Sequence, residues 1–177
     1  MVDLREKGKD EHGLLKKIEL AIPGFRGYRK REDLRIADSL LRTQLSNNIK
    51  NISKDLEQCR EVITKKMEMD LLEDVGRLLN QFSAIEGKLR HAEQGYTGIS
   101  GDYRIEESEL NRLYEWDLGL INYINELKNS ISMLQIAIDS GDKSNMIKEI
   151  SNVNIKLRDF TQLFEKRRMA IAGLGVE

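Results

Sequence analysis

At 177 residues, 40% hydrophobic and 33% charged, the chain is long enough for one domain and too apolar to be disordered. A net charge of −1 supplies no overall field for nucleic acid or an anionic membrane, so neither is an expected partner. A single Pro favours long uninterrupted helices, and a single Cys permits no internal disulfide and suits a cytoplasmic location.

The opening stretch MVDLREKGKDEHG is charged and has no apolar centre, so no signal peptide is expected there. Residues 1–10 read as loose. Residues 11–21 carry Leu14, Leu15, Ile18 and Leu20, enough for a short amphipathic helix. Pro23, Gly24 and Gly27 then break any helix and mark a structured turn, with Phe25 and Tyr28 as anchors. Residues 1–28 are expected to form an N-terminal arm and residues 29–177 a four-helix bundle, one domain overall.

The first long helix is expected over about 30–66. Its apolar seam reads Leu34, Ala37, Leu41, Leu45, Ile49, Ile52, Leu56, Cys59 and Ile63. The step from 34 to 45 covers eleven residues where a heptad needs seven, a stutter that locally straightens a supercoil. The second helix, about 70–94, has the cleanest repeat: Leu71, Val75, Leu78, Phe82, Ile85, Leu89 and Ala92. Spacings of four and three alternate along it, and such a helix buries one continuous face. Residues 65–69 are expected to form the hairpin between these helices; neither Gly nor Pro punctuates them, so a single bent helix is the alternative.

Three glycines in Gly95–Gly101 make the next break. The third helix, about 106–140, has the seam Leu110, Leu113, Asp117, Leu120, Ile124, Leu127, Ile131, Leu134 and Ile138. Gly141 suits a helix C′ position, and Asp142 or Ser144 suits the cap of the next helix. The fourth helix, about 145–172, shows Met146, Ile150, Val153, Leu157, Phe160 and Phe164. Short connections between long helices favour an all-α, antiparallel up-down-up-down bundle with coiled-coil-like seams.

That topology gathers the Pro23–Tyr28 turn, the Gly95–Gly101 loop and the tail after Lys166 at one end. Residues 26–35 hold five cations against two carboxylates, and residues 102–117 hold six carboxylates against two arginines. The plainer reading is that these segments neutralise each other. The sharper one is an anion or phosphate site built from Arg26, Arg29, Arg31, Lys166, Arg167 and Arg168 beside a helix N-terminus. Arg35, Tyr28, Tyr96 and Asp117 complete the candidate binding set.

Asp117 sits at a seam position that should be apolar. An unpaired buried carboxylate is costly, so a cation such as Arg29 or Arg42 is the expected partner. Pairing of this kind predicts a carboxyl pKa below the ordinary ~3.9. An enzyme using Asp117 or Asp38 as a base is the least supported alternative. Neither His12 nor His91 follows a Glu by three residues, so the di-iron bundle signature is missing. No nucleophile elbow, phosphate loop or zinc spacing occurs either, and no metal or cofactor is expected.

Pro23-Gly24-Phe25-Arg26-Gly27-Tyr28, continuing through Glu32, Arg35, Ala37-Asp38 and Arg42, resembles the opening of a family of uncharacterised prokaryotic helical proteins. Gly95-Tyr96-Thr97-Gly98, followed by Leu110, Leu113, Tyr114 and Asp117, resembles it too. The resemblance implies that both loops are family features and carries no activity. The expectation is a non-enzymatic interaction or scaffold module with a protein partner or a second copy of itself. The alternative is a bundle that binds a small anionic ligand at its arginine-rich turn.

Overall fold

The computed structural model describes residues 4–25, 27, 31–92 and 107–173. It is all-helical over those residues, with α1 (Leu4–Ala21), α2 (Arg31–Lys65), α3 (Met69–His91), α4 (Glu107–Ser140) and α5 (Lys143–Gly173). The four long helices fall within a few residues of the expected ranges. The first differs: α1 begins at Leu4, seven residues before the apolar stretch that suggested it. The Arg5–Glu11 stretch is rich in straight-chain Arg, Glu and Lys, which extend a helix at little cost once a neighbouring turn has nucleated it. Leu20 is exposed, and Ile18, Ile22 and Phe25 are the residues this segment buries.

The chain divides into two compact units. Unit 1 takes α1, α2 up to Gln44, α4 up to Ile121 and α5 from Gln162. Its core includes Ile18, Phe25, Leu34, Leu41, Leu113, Leu120 and Phe164. Gly27 adopts φ 80°, and a Cβ there would lie 2.7 Å from the Tyr114 hydroxyl, so both conformation and space demand glycine.

Unit 2 takes Leu45–Ala92 and Asn122–Thr161. Every expected seam residue of α2 and α4 in this range is buried, as are those of α3 from Leu71 to Leu89 and of α5 from Met146 to Phe160. The Ser46 hydroxyl donates to Glu86 at 3.1 Å, which sets α2 against α3. Lys156 pairs with Glu126, and the Asn152 amide donates to the Ser130 hydroxyl at 3.5 Å. Those two bridges run in opposite directions along α4 and α5. Lys128 also reaches Asn48 at 2.8 Å, linking α4 to α2.

Residues 65–69 form a closed turn. The Glu68 amide donates to Ile63 O and the Met67 amide to Thr64 O, a Schellman pair. Met67 takes the left-handed position, φ 59°, that glycine usually fills. The hairpin expected here is formed without Gly or Pro because a methionine fills the left-handed cap. The second hairpin is conventional: Gly141 has φ 73°, and Asp142 accepts from the Asn145 amide at 3.1 Å. Lys143 ties the two hairpins together, at 2.8 Å from Glu68 and 2.9 Å from Asp70.

Candidate functional site

Three seam positions of unit 1 carry charge in place of a hydrocarbon. Leu34, Asp38 and Leu41 on α2 are spaced four and three, as are Leu113, Asp117 and Leu120 on α4. On α5 the repeat runs on past Phe164 to Arg167 and Ile171. The three charged side chains therefore point inward and meet, and Arg42 joins from one turn below Asp38.

Arg167 is the hub. Its Nε donates to Asp117 Oδ1, and its Nη1 donates to Asp38 Oδ1 at 2.5 Å. The second oxygen of Asp38 accepts from Arg42 Nε at 2.8 Å. Asp117 is 0% exposed and Arg167 1% exposed. Two guanidinium groups face two carboxylates, so the cluster is neutral. Charge-assisted hydrogen bonds of this kind make burial tolerable, and they fix three helices at one level.

The expected pairing of Asp117 with an arginine is present, and the described partner is Arg167. Arg42 is engaged by Asp38 on its own helix, and Arg29 lies outside the described residues. Arg167 takes that place, because it continues the α5 seam directly opposite. The same burial withdraws Arg167 from a surface anion site. Of the other candidates, Arg168 is exposed and pairs with Glu165 at 2.8 Å, and Arg35 is exposed on α2. Arg31 opens α2, and its side chain is outside the described set. Arg26, Tyr28 and Tyr96 also lie outside the described residues.

Sequence reasoning missed Arg167 as a core residue because the seam was ended at Phe164. It missed Asp38 because the neighbouring Ala37 filled the apolar slot. The signal was there in both cases, as unbroken four-three spacing. It also missed Glu149 in unit 2, a buried carboxylate that accepts from the Asn152 amide at 3.2 Å.

Unit 2 holds Cys59 and an open groove. Cys59 is fully buried, and burial first, then Asp55 and Asp139, push its thiol up to about 11. A thiol so shielded is a small core hydrophobe, not a nucleophile. The groove, of about 310 Å³, lies between α3 and α5, with Leu78, Gln81, Ile147 and Asn154 among its lining residues. Its guanidinium, Arg77, is held by Asp74 and Glu73, which raise its pKa. Among the described residues no group of three or more His, Cys, Asp or Glu side chains is placed to hold a metal ion. No described helix is long and apolar enough to cross a membrane. Comparison with family models, curated proteins and solved structures finds no match for this chain.

Proposed function

We propose that this chain is a non-enzymatic helical interaction module, with α2–α5 running up-down-up-down and their outer faces meeting a protein partner. The observation that carries this reading is the sealed Asp38–Arg42–Arg167–Asp117 cluster. It is the strongest polar feature of the described chain, and each of its charges is already answered inside the fold. It holds helices in place and leaves recognition to the surface. The opposed bridges Ser46–Glu86, Lys156–Glu126 and Asn152–Ser130 support the topology. The unpaired, buried Cys59 suits a reducing cytoplasmic setting.

Thermal shift assays with inorganic phosphate and nucleotides, paired with affinity capture from source cells, test the reading. The expected result is no shift, together with a stoichiometric protein complex or a self-association that rises with concentration. A shift that disappears at high salt would favour an anion-binding bundle instead. Failure to find any complex, with a partner or with itself, would remove the interaction reading.

A further inference from the structure

We draw no further inference here: the strongest candidate, the open groove of about 310 Å³ between α3 and α5 in unit 2, is lined by the exposed side chains Gln81, Ile147, Ser151 and Asn154, and nothing in the structure shows what covers it.

Discussion

Replacing Arg167 by Met tests the central claim about unit 1. Methionine keeps much of the apolar stem and deletes the guanidinium. Asp117, fully buried, then loses its Arg167 contact, and Asp38 keeps only its Arg42 bond on the other oxygen. Removing one partner of a buried ion pair costs about 3–5 kcal/mol, because the remaining charge has been stripped of water. A domain of this size has only about 5–15 kcal/mol in total, so much of its stability should go. Asp117→Asn should cost less, about 1.5–3 kcal/mol, since the shape survives and Asp38 still answers Arg167. Converting all four cluster residues to Leu or Met should be neutral or stabilising by about 1–4 kcal/mol, because the two guanidinium groups and the two carboxylates leave together. Urea unfolding followed by circular dichroism and by the fluorescence of Trp116, the only tryptophan, measures all three. A loss below about 1 kcal/mol for Arg167→Met would refute the buried-cluster reasoning. An all-apolar variant as unstable as the single one would refute it equally.

Phe82→Ala and Leu127→Ala, each at a fully buried seam position of unit 2, should cost about 2–5 kcal/mol in the same assay. Met67→Gly should raise stability by about 0.5–1 kcal/mol, because glycine accepts φ 59° without steric penalty, and a loss would mean that the methionine side chain holds the turn. The Cys59 thiol ionises near pH ~8.5–9 when unfolded but only near about 11 when folded. Its contribution is therefore intact below ~9 and lost as pH rises toward the folded value, and the stability gap between wild type and Cys59→Ala should narrow between neutral and pH ~10.5.

Periodicity made the helices legible. Burial at Leu71–Leu89 and at Ile124–Ile138 follows the seven-residue repeat almost residue for residue, since a long helix has only one face it can hide. What escaped was polar. A charged residue at a seam position reads as the end of the seam, as at Arg167, or as a neighbour's outward companion, as at Asp38. The countercharge that makes such burial tolerable is distant in sequence, 129 positions away for Asp38 and Arg167, so the four-three spacing marks the position but not its partner. The 65–69 turn stands where the hairpin was expected, but its cap could not be read from the sequence. Its hydrogen bonds are standard, and only the residue occupying the left-handed position is unusual.

The charged layer also has an evolutionary consequence. Apolar seam positions drift freely, because Leu, Ile and Met exchange at little cost when volume is kept. Asp38, Asp117 and Arg167 have less freedom, since losing Arg167 takes a countercharge from both carboxylates and losing either carboxylate takes one from Arg167. They form a single inherited character written on three helices, expected to be kept whole or lost together. Among chains whose heptads have diverged beyond comparison, shared descent would show in an Asp and an Arg one turn apart on one helix, answered by an Asp and an Arg on two later ones.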